Sequence, residues 1–161
     1  MTRINTIDVK LLADQHLMAE YRELPMVSSA LRRSLAGKSG GNSLLSRIPK
    51  QYTLNKGHVL FFYNKGKFLS NRYNQLIEEL YDRGYSITPS DRDVSFDVHF
   101  DRPSFGNDWS ACDADHVINC DRILQRISEK PNWYKMKGRV ISEGDYVDMI
   151  KARYYKLGAN K

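Results

Sequence analysis

Residues 12–25 read LADQHLMAEYRELP, and they lie in a helical pattern that runs over residues 11–35. Apolar residues recur there at helical intervals and form one stripe: Leu17, Tyr21, Leu24, Leu31 and Leu35. Asp14 is suited to the N-terminal turn as an acid or a cap. Pro25 lacks a backbone donor and crowds the carbonyl of Tyr21, so the sequence predicts a kink or a break at this position.

Two strong helical patterns and one weaker pattern follow along the chain. The strong patterns span residues 68–81 and 113–129, and the weaker one spans residues 145–156. Because strand signals are scarce, the sequence predicts an all-α fold. We expect a compact single domain of three main helices with long irregular loops and a possible extra C-terminal helix.

The segments between these patterns predict loops and one buried stretch. Residues 37–43 are rich in glycine and serine, and residues 88–108 are acidic and irregular, so both predict loops. Residues 58–63 read HVLFFY, an apolar segment too short to assign by periodicity. We expect either a short strand or an extended core stretch there.

The composition is that of a globular protein with an excess of positive charge. Hydrophobic residues make up 41% of the 161 residues, and the formal net charge is +6. Such a surplus favours a polyanion or an anionic surface as the partner. No apolar run is long enough to cross a bilayer, and the N-terminus has no apolar signal core. The sequence therefore predicts a cytoplasmic protein with no membrane partner.

The cysteines and histidines indicate neither a disulfide nor a metal site. Cys112 and Cys120 are eight residues apart on one predicted helix, about 12 Å along its axis, which is too far for a disulfide. Free thiols suit a reducing compartment. The histidines show no metal-ligand spacing: His16, His58, His99 and His116. We therefore expect no metal and no cofactor.

Basic and aromatic residues cluster from the 113–129 helix onward. Arg122, Arg126 and Lys130 are spaced four apart and share one helix face. This face is either a solvated surface or a row of phosphate contacts. The segment WYKMKGR at residues 133–139 follows, and aromatic rings interleaved with cations suit base stacking and phosphate pairing. Trp133 and Tyr134 could equally belong to the core.

The polar side of the first helix is a second candidate surface. Gln15 and Arg22 are seven residues apart, as are His16 and Glu23, so the four form a polar strip. The alternative is an intrahelical ion-pair network in which Glu20 and Glu23 flank Arg22.

The N-terminus is a third candidate. Removal of Met1 would expose the α-amine of Thr2, whose reference pKa of about 8 leaves an unprotonated fraction at neutral pH. Such an amine can form a Schiff base with a carbonyl carbon.

Several segments match the sequence pattern of one known family: MTRIN at 1–5, LADQHLMAEYRELP at 12–25, Gly57-His58-Val59, Phe61-Phe62-Tyr63, Phe68-Leu69, Leu76-Ile77, Pro131, Trp133-Tyr134-Lys135 and Gly138. Over roughly residues 1–140, the chain thereby resembles the phage pyrimidine-dimer DNA glycosylases, also called endonuclease V. The unbroken run 12–25 is very specific, whereas the middle loops match poorly.

The resemblance implies a mostly helical enzyme that excises damaged pyrimidines and then nicks the abasic strand. It places the nucleophilic amine on Thr2 and the catalytic carboxylate on Glu23. It further implies DNA-binding roles for Arg3, Gln15, His16, Tyr21, Arg22, Arg122 and Arg126. The basic and aromatic pattern adds Trp133, Tyr134 and Lys135 as candidate DNA contacts. The implied partner is double-stranded damaged DNA bound by a monomer, in the host-cell cytoplasm if the protein is phage-encoded.

The chain departs from the family pattern near the lesion-recognition positions. Met26 stands where the family has an arginine, and Met136 and Lys137 stand where it has tyrosines. Two alternatives therefore stay open: the same chemistry on abasic sites or oxidised bases, and an inactive protein that bends or binds DNA. We expect a family-like domain over residues 1–140 and a basic C-terminal extension over residues 141–161.

Overall fold

A computed structural model describes residues 4–37, 40–88 and 103–155. The helices are α1 (Asp14–Glu23), α2 (Pro25–Ala36), α3 (Gly40–Ser46), α4 (His58–Phe61), α5 (Gly66–Asp82), α6 (Asp113–Glu129) and α7 (Glu143–Tyr154), with a 3-10 turn at Val9–Leu11. Two short strands, β1 (Lys135–Met136) and β2 (Arg139–Val140), pair antiparallel. The predicted helical fold is confirmed, including the extra C-terminal helix.

The break at Pro25 is confirmed. Leu24 keeps helical backbone angles, and Pro25 is the first residue of α2, where its missing N–H costs nothing. The first pattern therefore becomes two helices. As a consequence, Glu23 is the last residue of α1.

Two local predictions are wrong. Residues 40–43 belong to α3 and not to a loop; burial of Leu44 stabilises this helix. Residues 58–61 form a helical turn and not a strand, because Gly57 adopts a left-handed φ of 89° and its carbonyl accepts the N–H of Phe61 at 2.8 Å. The other expected loop, 88–108, lies mainly outside the described residues; its described ends are non-helical.

The described residues group into two compact units, each with its own core. Unit 1 comprises residue 4 with residues 19–110, and unit 2 comprises residues 5–18 with residues 111–155, within the described ranges. The core of unit 1 contains the buried rings of Tyr52, Phe61 and Phe62, and the half-buried rings of Phe68 and Trp109 pack against them. The predicted boundary at residue 140 is a different division and stays a prediction.

The core of unit 2 is organised around Tyr146. Its side chain is fully buried. Its hydroxyl accepts the N–H of Ala13 at 3.1 Å and donates to the carbonyl of Leu11 at 2.7 Å. A residue of α7 thereby holds the chain that leads into α1.

Both cysteines are free, as expected. Cys112 is exposed just before α6, whereas Cys120 is buried within it. Burial, followed by the nearby charge of Asp121, raises the pKa of the Cys120 thiol to about 12. This thiol therefore stays protonated at neutral pH.

No helix within the described ranges is both long enough and apolar enough to cross a bilayer.

Candidate functional site

Three of the predicted site residues lie at the end of α1, in unit 1. Arg22 is exposed, and Tyr21 and Glu23 are half-buried. The ring of Tyr21 stacks on Tyr73 of α5, with centroids 5.5 Å apart and an interplanar angle of 9°. This stacking fixes the last turn of α1 on α5.

The two carboxylates of this helical turn have different surroundings. Glu20 is 1% exposed and forms a bidentate pair with Arg72 of α5; Nε lies 2.8 Å from Oε1, and Nη2 lies 3.0 Å from Oε2. Both oxygens of Glu20 are therefore engaged by a residue of another helix. Glu23, in contrast, is only half-buried.

The predicted residues Thr2 and Arg3 lie outside the described residues. The first described residue, Ile4, is fully buried in unit 1.

In unit 2, the first turn of α1 holds the segment that contains the hairpin. The side-chain amide of Gln15 donates to the carbonyl of Trp133 at 2.8 Å and accepts the N–H of Lys135 at 3.0 Å. The carboxylate of Asp14 accepts the N–H groups of Lys137 and Gly138, at 3.1 and 2.7 Å. Asp14 is thus an acid of the first turn, as expected, and Gln15 binds backbone in this structure.

The hairpin itself was missed by the sequence reasoning. Lys137 and Gly138 form its two-residue turn, with φ angles of 50° and 78°. Such a turn requires positive φ at both positions, which glycine adopts freely and lysine does not. In the sequence, Gly138 was the one residue that could have indicated this turn. The two hydrogen bonds to Asp14 hold the turn in place.

The structure separates the roles of Trp133 and Tyr134. Tyr134 is buried, and its ring lies 4.6 Å from that of His16. Trp133 is 50% exposed, and the ammonium of Lys130 lies 4.9 Å from its ring centroid. Tyr134 and His16 therefore pack together, while Trp133 presents a ring surface beside a cation. The side chain of Lys135 is exposed next to them.

The basic residues of the predicted row on α6 differ in their burial and in their partners. Arg122 is half-buried, and Arg126 pairs with Glu129 at 2.9 Å on the surface. An exposed pair of this kind contributes only about 0–1 kcal/mol. A phosphate can therefore compete with Glu129 for Arg126 at little cost.

Lys65 is a buried amine that the sequence reasoning did not consider. Burial lowers its pKa from 10.5 to about 8. Its ammonium donates to the carbonyl of Phe61 at 2.7 Å and to Oδ1 of Asn64 at 2.8 Å, and it lies 3.8 Å from the Phe61 ring centroid. These contacts give Lys65 a structural role in unit 1.

We expect the stability of the protein to depend on Lys65 between pH 8 and 10.5. In this range the unfolded chain holds the proton and the folded chain does not, so the Lys65 contribution to stability rises with pH. Below pH 8 both states are protonated. The free-energy difference between the parent and Lys65→Met should therefore shift in favour of the parent across this range, by at most about 3 kcal/mol.

Urea unfolding of both proteins at pH 7, 8, 9 and 10 measures this difference. The tyrosines and Cys120 are present in both proteins, so their titration cancels in the difference between the two unfolding free energies. Parallel stability curves over this pH range would contradict the lowered pKa.

Among the described residues, no group of three or more histidine, cysteine, aspartate or glutamate side chains is arranged to hold a metal ion.

A family model described as pyrimidine dimer DNA glycosylase matches residues 1–93 of the chain. The match is more than half of the sequence and includes α1 through α5, with Arg22 and Glu23. It ends before α6 and the hairpin. The resemblance found in the sequence is thereby confirmed at the level of the family. The chain belongs to the pyrimidine dimer DNA glycosylase family, and its role is that of a DNA-repair glycosylase.

Proposed function

We propose that this protein is a bifunctional DNA glycosylase and abasic-site lyase that acts on cyclobutane pyrimidine dimers in UV-damaged duplex DNA. Thr2 supplies the nucleophilic amine and Glu23 the catalytic carboxylate. The observation that carries this proposal is the contrast between the two glutamates of one helical turn. Glu20 is 1% exposed and paired with Arg72, whereas Glu23 is only half-buried at the end of the same helix, which supports Glu23 as the catalytic carboxylate.

The proposed reaction balances without a metal or a cofactor. The amine of Thr2 forms a bond to C1′ as the N-glycosidic bond breaks, and the base leaves with the bonding electron pair and gains a proton. The amine then loses a proton and the sugar ring opens, which yields an imine. The imine acidifies the C2′ proton; its removal expels the 3′ phosphate oxygen. Water hydrolyses the imine and restores the amine.

Glu23 has two tasks in this scheme. Its negative charge stabilises the positive charge that develops on the sugar as the base leaves. It then moves protons during ring opening and elimination. Both tasks need a carboxylate that a sugar can approach, and the half-buried position of Glu23 at the end of α1 supports this assignment.

We keep all of the DNA contacts that were predicted from the sequence. In unit 1 they are Arg3, Tyr21 and Arg22. In unit 2 they are Gln15, His16, Arg122, Arg126, Trp133, Tyr134 and Lys135. The buried position of Tyr134 favours an indirect role, through the placing of exposed Trp133. Because the scissile bond lies inside stacked DNA, a monomer must bend the duplex and extrude a nucleotide.

A panel of defined duplexes tests the function. Three duplexes carry a single lesion each: a cyclobutane dimer, an abasic site or an oxidised pyrimidine. A fourth duplex carries no lesion. Borohydride is added to every reaction to trap imines. We expect trapped adducts and strand cleavage with the dimer and the abasic site, and none with undamaged DNA. Binding without any adduct would contradict the proposal and indicate a protein that only binds damage.

The same panel tests a second candidate function, which is the same chemistry on abasic sites or oxidised bases only. It is favoured by Met26, which is 54% exposed in the first turn of α2 and offers no charge to a dimer. Under this alternative, the dimer duplex would stay uncut while the abasic duplex is cleaved.

Neutralising Arg122 and Arg126 together is expected to weaken binding to damaged and undamaged duplexes alike. Phosphates carry no information about lesions, so the loss should be nearly uniform. Each lost contact should lower the slope of log affinity against log salt by about one. A salt titration of Arg122→Ala/Arg126→Ala beside the parent measures this slope. An unchanged slope would show that this face of α6 is only solvated.

A further inference from the structure

Both backbone polar groups of Ile4 are bound by side chains from elsewhere in unit 1. The N–H of Ile4 donates to Nε2 of His58 at 2.9 Å, and the carbonyl of Ile4 accepts the hydroxyl of Tyr52 at 3.0 Å. All three residues are buried. The chain is therefore fixed at its fourth residue by two hydrogen bonds from positions about fifty residues away.

The bond to His58 defines the state of its ring. A backbone N–H can only donate, so Nε2 of His58 must accept and carries no proton. Nδ1 then holds the proton and donates to the carbonyl of Thr53 at 2.5 Å. The ring is neutral in this arrangement, and its two nitrogens link Ile4 to the segment that precedes α4.

The two binding side chains also support each other. The rings of Tyr52 and His58 meet edge to face at 5.6 Å, and both contact Phe62 in the aromatic core. Gly57 is the residue that precedes α4, and a Cβ atom at this position would lie 3.2 Å from Cγ of Pro49. The anchor is thus part of the aromatic core of unit 1.

We propose that Tyr52 and His58 are positioning residues for the catalytic amine, which they hold through the backbone of Ile4. The inference rests on the proposed function, because it takes the amine of Thr2 as the nucleophile. Thr2 precedes Ile4 by two residues, and two residues of extended chain reach at most about 7 Å, so chain connectivity limits how far the amine can lie from the fixed Ile4. A misplacement of about 1 Å can cost about 100-fold in rate.

Tyr52→Phe tests the anchor with the least disturbance, because it removes one hydroxyl and keeps the ring. Loss of one hydrogen bond of ordinary net strength corresponds to about a five-fold change. We therefore expect adduct formation on an abasic duplex, under single-turnover conditions with saturating protein, to slow about five-fold. Affinity for a duplex with a reduced, uncleavable abasic site should stay unchanged.

Tyr63→Phe is the matched control. Tyr63 is also buried in unit 1, and its hydroxyl lies 3.3 Å from that of Ser34, whereas the Ile4 backbone is bound by Tyr52 and His58. The Tyr63→Phe variant should lose about as much thermal stability as Tyr52→Phe, while its trapping rate stays at the parent value. If the hydroxyl of Tyr52 had only a structural role, Tyr52→Phe and Tyr63→Phe would show the same trapping rate.

Two variants of His58 extend the test. His58→Leu removes the acceptor for the Ile4 N–H and should slow trapping by at least as much as Tyr52→Phe. His58→Gln offers a side-chain oxygen near the place of Nε2 and should recover part of the rate. Recovery by glutamine but not by leucine is a signature of the hydrogen bond itself.

The outcomes separate this inference from the function on which it rests. A parent protein that forms no adduct would overturn the proposed function and the anchor with it. A parent that forms adduct, with Tyr52→Phe equal to Tyr63→Phe in rate, would overturn the anchor alone. A loss of duplex affinity in Tyr52→Phe at unchanged rate would also overturn it, since the anchor would then serve binding.

Discussion

Replacing Glu23 by glutamine is expected to slow the excision of a pyrimidine dimer by about 10²–10⁴-fold. The carboxylate acts on positive charge that exists mainly in the transition state, so the loss should appear in the rate and hardly in the affinity for DNA. Single-turnover excision and equilibrium binding, measured on the same dimer duplex, separate the two quantities. Near-normal excision by Glu23→Gln would place the catalytic carboxylate elsewhere.

Glu20→Gln is the informative control for that variant. Glu20 lies one turn earlier and is paired with Arg72 in a buried site. Removal of one partner leaves a buried charge without compensation, which costs about 3–5 kcal/mol of stability. We therefore expect a lower melting temperature for Glu20→Gln, with excision retained by the folded fraction. The opposite pattern in the two variants would exchange the roles of the two glutamates.

Blocking the α-amine of Thr2 is expected to abolish most imine trapping and strand cleavage. Retention of Met1, or insertion of an alanine before Thr2, moves the amine by one residue, and displacement on this scale costs at least about 100-fold. Mass spectrometry of the intact protein measures how much Met1 is present. An unchanged trapping rate in protein that demonstrably keeps Met1 would refute the assignment.

Lys65 is the rival amine that this experiment must exclude. Its pKa of about 8 resembles that of an α-amine, but its ammonium is buried and hydrogen-bonded. We expect Lys65→Met to form the same adduct as the parent, and peptide mapping of the adduct to find the modification on Thr2. Loss of the adduct in folded Lys65→Met would transfer the nucleophile to the lysine.

The helices were largely readable from the sequence, because their determinants are local. Apolar spacing predicted α5 and α6 nearly to their ends, and Pro25 predicted the break between α1 and α2. The family was equally readable, since the run 12–25 is specific. The two local errors, α3 and α4, arose where burial or one left-handed glycine outweighed composition.

The sequence alone also determined which residues share a helix face, and so it grouped Gln15, His16, Arg22 and Glu23. Periodicity cannot name the partner of a side chain, because partners lie far along the chain. Arg72, 52 residues away, engages Glu20, and the backbone of Trp133 and Lys135 engages Gln15.

Burial drew the remaining distinctions. Trp133 is exposed and Tyr134 is packed against His16, although the two are neighbours of the same chemical type. Likewise, the sequence predicted a nucleophilic amine at Thr2, but only the tertiary contacts reveal how the backbone of Ile4 is held. Local sequence thus supplied the chemical groups and their helix faces. Long-range hydrogen bonds and burial decided which of those groups are buried and which are held by partners from distant parts of the chain.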